Sequence, residues 1–484
     1  MQNQSLILIA HNNFTHIEVN NILDNITNQI FESWLAGEGV YTNSEILAWV
    51  EDRNKTVAVK IEKTTLAKTQ WLYDEESGCI VNKNRAFFQI AGLQTMRESK
   101  AIAQPIMLQN EIGFLGFLCR QIDGVLHFLV QAKIEPGNIN KIQLSPTVQA
   151  TKSNFTQKHG GKMPPYVEYF LKADSYTIIV DQIQSEQNSR FLKKRNRNVV
   201  LMIGENEKIT EPATHRWMTL GQIKCLMKID NLVNMDTRTV LSCIPMLEQH
   251  ESLSRIEEKV KDLPLLRSIT QPRSHSDVPK IFNYINDYKM FADEENKIVP
   301  LFSLTNWSMN KTNNHEEFFC ETGFPFKIVF CDISIEGREV RSWGQPLFEA
   351  EGMAWFGLIT TVCKGIRQFL VSAKPEVGCF DKIELAPTIQ LEVSEPHNSD
   401  FVTTLFFDYY NKRRGIVHDV ILSEEGGRFY HEQNHNVVLE INKDDLPALP
   451  NGYFWLTYRT LNELVQINNG LNIQLRNLLI LMEL

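Results

Sequence analysis

The ten residues Leu126–Glu135, "LHFLVQAKIE", alternate with period two. Leu126, Phe128, Val130, Ala132 and Ile134 would share one face of a strand, and His127, Leu129, Gln131, Lys133 and Glu135 the other. Such alternation predicts a β-strand with its apolar face on a core. The opposite face of such a strand ordinarily meets water. Here it carries an imidazole, an amide, an ammonium and a carboxylate. Further short apolar runs at 86–95, 112–121, 176–183 and 198–203 predict more strands. Helical periodicity at 219–229 and 235–244, with Thr219 and Asn234 as N-caps, predicts two closing helices. A run at 18–37 that ends at Gly37 predicts a helical N-terminal extension over 1–40. Strands followed by helices point to an α+β fold with a mixed sheet.

The pattern occurs twice. "LSPTVQ" (144–149) returns as "LAPTIQ" (385–390), and Gln104-Pro105 returns as Gln345-Pro346, both at an offset of 241. "SEQNSRFLKKRNRNVV" (185–200) returns as "SEEGGRFYHEQNHNVV" (423–438) with eight identities. Chance would give on the order of one. Trp71 matches Trp307, and Trp217 matches Trp455. The chain is therefore an internal duplication, with repeats at 41–266 and 278–484 joined by a charged, then Pro- and Ser-rich linker at 267–277.

Composition narrows the class. The 484 residues are 43% hydrophobic and 22% charged, an ordinary globular balance. A net charge of −9 gives no general attraction to nucleic acid or to an anionic membrane. The eight cysteines form no CxxC pair, as expected of reduced thiols in a cytoplasmic protein. No signal peptide or membrane span is read from the chain.

Candidate chemistry starts on the polar strand face. Lys133 and Glu135 return as Lys374 and Glu376, whereas His127 and Gln131 become Gln368 and Ser372. A working face in repeat one and an eroded twin in repeat two would give this pattern; so would a solvated face that drifted. Thr147, Gln149 and Asn154 follow two turns and either point back to a cleft or satisfy local backbone. Glu186 and Gln187 precede a basic cluster of Arg190, Lys193, Lys194, Arg195 and Arg197. That cluster reads as a solvated face, a weak nucleic-acid patch or a diphosphate clamp, since guanidinium forks match phosphate oxygens. P-loop, GxGxxG, GxSxG and HExxH motifs are absent.

"DGVLHFLVQAKIEPGNINKIQLSPTVQATKSNF", "SEQNSRFLKKRNRN" and "LGQIKCLMKIDNLVNMDTRTVLSC" resemble the NDP-hexose 2,3-dehydratases of deoxysugar biosynthesis, and "LSEEGGRF" and "ELAPTIQ" resemble that family's second repeat. The resemblance spans nearly the whole chain. It implies two tandem Nudix-like domains, a homodimer, a dTDP-4-keto-6-deoxyhexose substrate, no metal or other cofactor, and coupling to a 3-ketoreductase. "LSEEGG" looks faintly like the glutamate-rich box of pyrophosphate hydrolases, but the REx2EExG pattern is missing from both repeats. Repeat one departs from the family at Ile102-Ala103, where a tryptophan usually precedes the first "QP", and at "QNSRF" for "QGSWF". Repeat two departs at "VSAKPEVG", which makes it the poorer catalytic candidate.

The implied reaction removes the C3 proton next to the C4 carbonyl, expels the C2 hydroxyl from the enolate, and gives a 3,4-diketo sugar after tautomerisation. On this reading His127 or Glu135 moves the proton, with Glu186 as a rival base, and Lys133 steadies the enolate. Gln131, Thr147, Gln149, Asn154 and Gln187 orient the sugar. Arg195 and Arg197 grip the diphosphate beside Asn196 and Asn198. The alternatives are a nucleotide-sugar hydrolase, marked by Mg²⁺ dependence, and a non-catalytic sugar-nucleotide-binding protein.

Overall fold

Strict alternation becomes strand wherever a neighbour can cover the apolar face. The computed structural model describes residues 16–97, 100–156, 163–246, 256–271, 277–312, 314–337 and 340–484. The large sheet of the first half runs Thr177–Ser185, Arg195–Met202, Phe114–Ile122, Val125–Ile134, His215–Thr219. Two short strands, Ile142–Ser145 and Val148–Ala150, pair with the Val125–Ile134 and Phe114–Ile122 strands. Its pairs are antiparallel except Arg195–Met202, which runs parallel to Phe114–Ile122, so the sheet is mixed. The second half builds the same sheet, with Trp355–Cys363 and Ile366–Pro375 at its centre. This is a mixed α+β chain of two repeated halves.

Leu126, Phe128, Val130, Ala132 and Ile134 are buried in the largest apolar cluster. There they meet the helices Leu220–Leu226 and Met235–Ser242. Thr219 caps the first of these in a capping box with Gln222, and Asn234 caps the second by accepting from Thr237 N. The polar strand face is buried too: Leu129 packs beneath the helix Val167–Leu171, and Lys133 and Glu135 are only 8% and 5% exposed.

Two features tie the halves together. Each half also has a small sheet of five strands, and each small sheet borrows one strand. "VKIEKT" (Val59–Thr64) pairs antiparallel with Phe326–Ile335 of the second half. Its counterpart Glu294–Val299 pairs with Gln89–Arg97 of the first. At the centre, Arg238 donates to Ser423 O across the repeat axis, and Arg476 reciprocally donates to Ser185 O. Arg238 also holds Val233 O, so both its terminal nitrogens serve the structure. The join carries a helix: Leu263–Thr270 has Leu265, Leu266 and Ile269 buried, because its apolar face finds the second half's sheet. That helix takes in the first residues of the expected 267–277 linker, and 272–276 lie outside the described residues. The N-terminal extension contains the helix His16–Leu35, and a second helix follows at Asn43–Thr56.

Candidate active site

The Val125–Ile134 strand ends at the wall of a cavity of about 820 Å³. Lys133, Glu135, Gln149, Asn154, Glu186, Lys194, Asn196 and Asp236 reach it from the first half, together with the aromatic rings of Trp71, Phe87 and Phe88. Trp343, Gln345, Glu425 and Arg428 reach it from the second.

Lys133 Nζ lies 3.3 Å from Glu135 Oε1. Gln149 Nε2 donates to the same carboxylate oxygen at 2.9 Å, and Lys133 Nζ donates to the Gln149 carbonyl at 3.4 Å. Asn234, after capping its helix, donates to Gln149 Oε1 at 3.3 Å and fixes that amide. A second network surrounds Glu186. Asn196 Nδ2 donates to Glu186 Oε1 at 2.6 Å, and Lys194 Nζ donates to Asn196 Oδ1 at 2.8 Å and to Glu111 O at 2.6 Å. Burial pushes the Glu186 carboxyl above its usual range, against the pull of Lys194 and Arg476. Burial likewise brings the Lys194 ammonium down to about 8, with Glu186 opposing.

The second half's loop enters because two chains cross with backbone in contact. Gly137 N donates to Gly426 O at 2.6 Å, and His431 N donates to Gly137 O at 2.9 Å. A Cβ on Gly137 would stand 1.6 Å from Phe429 O, so only glycine fits. The crossing delivers Glu425, whose carboxyl burial raises to about 7, with the negative charges of Glu135 and Glu186 adding to the shift. It also delivers Arg428, which lies over the Phe88 ring at 4.4 Å and leaves its Nε without a partner.

Several residues expected at the site lie elsewhere. His127 sits at the opposite end of its strand, its Nδ1 on Val125 O at 2.8 Å and its Nε2 accepting from Val40 N at 3.2 Å. Thr147 donates to Leu129 O and accepts from Leu118 N at 3.0 Å, bracing the two central strands. Gln131 is half-buried between Ser145 and His215 in the sheet register and does not line the cavity. Gln187 turns to Glu432 of the second half. Of the two arginines expected to grip a diphosphate, Arg197 is held by Asp181 at 2.6 and 2.5 Å and Arg195 stacks on Phe380 at 3.6 Å, and neither lines the cavity. Asn198 is buried and donates to Asn196 O at 3.1 Å. Conversely, the sequence pattern does not single out Asp236, Glu425 or Arg428, which line the cavity. In the sequence Asp236 is one more polar residue of a helix, and nothing local shows that the second repeat's loop lines the first repeat's cavity.

Among the described residues, no three His, Cys, Asp or Glu side chains are placed to hold a metal ion. All eight cysteines are free. No described helix is long and apolar enough to cross a membrane.

Residues 43–244 and 279–482 each match the protein family described as NDP-hexose 2,3-dehydratase. A dTDP-4-dehydro-6-deoxy-alpha-D-glucopyranose 2,3-dehydratase of Saccharopolyspora spinosa is 37% identical over 469 residues, 94% of this chain and 94% of its own. The enzyme of the same name from Streptomyces violaceoruber is 35% identical, covering 89% of this chain and 95% of its own. That from Amycolatopsis orientalis is 33% identical, covering 91% and 90%. The chain belongs to the NDP-hexose 2,3-dehydratase family.

This NDP-hexose 2,3-dehydratase family member carries a second cavity at the matching place in its second half. Lys374, Glu376 and Gln390 line it as Lys133, Glu135 and Gln149 line the first, and Gln390 Nε2 again donates to the glutamate at 2.9 Å. Its volume is only about 180 Å³. Arg190 of the first half lines it, paired with Glu392 at 3.0 and 3.1 Å and stacked on Phe326 at 4.2 Å.

Proposed function

We propose that the chain is a sugar-nucleotide 2,3-dehydratase that removes water from a dTDP-4-keto-6-deoxyhexose, working in the larger cavity. Family membership gives the reaction. The Lys133–Glu135 pair in the wall of a cavity of about 820 Å³ carries its location. Glu135 takes the C3 proton, held for the task by Gln149 and Lys133. Lys133 supports the developing enolate oxygen, where a buried cation is worth far more than in water. Arg428, with its spare Nε in the wall, takes the diphosphate in place of Arg195 and Arg197. Glu186 stays a rival base. We assign each large mixed sheet to a Nudix-like fold, which the parallel pairing of Arg195–Met202 with Phe114–Ile122 supports. The homodimer, the cytoplasmic location and the demand for a 3-ketoreductase to consume the reactive diketone belong to the same proposal.

Incubation with dTDP-4-keto-6-deoxyglucose in the presence of EDTA, followed by mass, tests it. Loss of one water, trapped by a reductase or seen as freed dTDP from the labile product, is the expected result. Unchanged substrate, or release of a nucleoside monophosphate that needs Mg²⁺, would refute it. Glu135→Gln should lower kcat about 10²–10⁴-fold with little change in KM. Full turnover by that variant removes Glu135 from the mechanism.

A further inference from the structure

Elimination needs an acid as well as a base, because hydroxide is a poor leaving group. We propose that Asp236 is this acid, delivering its proton to the C2 hydroxyl as the C2–O bond breaks; the assignment rests on the dehydratase reading above.

Asp236 lines the cavity, is 1% exposed, and neither of its carboxyl oxygens has a hydrogen-bond partner. It opens the helix Met235–Ser242, but Asn234 already caps that helix, so capping does not occupy the carboxyl. A buried polar group left unmatched costs free energy and calls for an explanation; an incoming hydroxyl would supply the partner. Its neighbours keep the proton on. Burial, followed by the charges of Glu186, Glu425 and Glu135, holds the Asp236 carboxyl well above the usual carboxylate range, while Lys133 pulls the other way. The Arg238 guanidinium on the same helix also faces it and also favours ionisation. The twin cavity supplies a contrast within the chain. Lysine, glutamate and glutamine recur there as Lys374, Glu376 and Gln390, yet the positions of Asp236 and Glu425 hold Gln474 and Gln187. An amide cannot deliver an acidic proton, so the small cavity lacks a counterpart of Asp236 as well as the room.

The electrons balance without an oxidant. The C3–H pair becomes the C3–C4 double bond of the enolate, with the proton on the base. That pair then forms the C2–C3 double bond as the C2–O pair leaves with the Asp236 proton as water. Ketonisation moves the enol proton to C2, and solvent returns the proton from base to Asp236.

The test is Asp236→Asn with dTDP-4-keto-6-deoxyglucose in D2O. The expected result is water loss slowed about 10²–10⁴-fold, while the substrate still gains one deuterium at C3, since the enolate forms but cannot collapse. Water loss within a few-fold of wild type overturns the proposal, as does bound substrate that neither eliminates nor exchanges. Should D236N not fold, Glu425→Gln decides: without that neighbouring negative charge the alkaline limb of kcat should move to lower pH, and an unmoved limb overturns the assignment. Wild-type protein that neither exchanges nor eliminates would instead sink the dehydratase reading itself.

Discussion

Glu432 stands where the first half has Lys194, and it shows how a single position changes character between the repeats. It is 4% exposed, and burial raises its carboxyl to about 8 despite the Arg190 cation, with Glu424 and Glu392 adding to the rise. Folded protein therefore keeps a proton here that the unfolded chain gives up near its ordinary value of 4.5. Between those values the folded state binds more protons, so raising the pH through this window weakens the fold. Glu432→Gln has no such proton to lose. Relative to wild type it should gain stability on going from pH 5 to pH 8, on the order of 2 kcal/mol or more. Urea unfolding at both pH values measures this, and an equal difference at each would refute it. At this scale the sequence was a partial guide. Lys133, Glu135 and Gln149 were legible because strand alternation and a nearby turn group them. Asp236 was not, because its chemistry comes from what surrounds it and not from its neighbours in the chain.

The elements were easier to read than their pairings. The strand at 125–134 and the capped helices after Thr219 and Asn234 follow from local periodicity and capping chemistry, which need no knowledge of the rest. "VKIEKT" alternates as clearly, but alternation names a face and not a partner, and its partner lies in the other half. The crossing at Gly137 is similar. "EPG" announces a turn, whereas the contact with Gly426 and Phe429 is what makes the glycine indispensable. Gly137→Ala should cost ~3 kcal/mol by forcing two backbones apart. It should also withdraw Glu425 and Arg428 from the cavity, so kcat should fall even well below the new melting temperature. Thermal unfolding with assays on the folded variant checks both; unchanged activity would mean the crossing does not set the site.

As a whole, the molecule is less divisible than its repeats suggest. Each small sheet needs a strand of the other half, and each cavity wall is finished by the other half's loop. Residues 16–246 and 277–484 made separately should aggregate, since each would expose the strand edge its partner covers. Refolded together they should recover activity, and intact protein should unfold in one calorimetric transition. A single half that stayed monomeric and melted cooperatively would contradict this.

The borrowed loop also bears on how such a gene can change. The second copy keeps only a small pocket, with the Arg190–Glu392 pair in its wall. Glu425–Phe429 is the stretch least free to drift, because Glu425, Gly427 and Arg428 line the first half's cavity. Selection on the second copy should therefore fall heavily on a few positions distant in sequence from the cavity they line. A recombination break between the copies would leave each small sheet short of a strand and each cavity short of a wall.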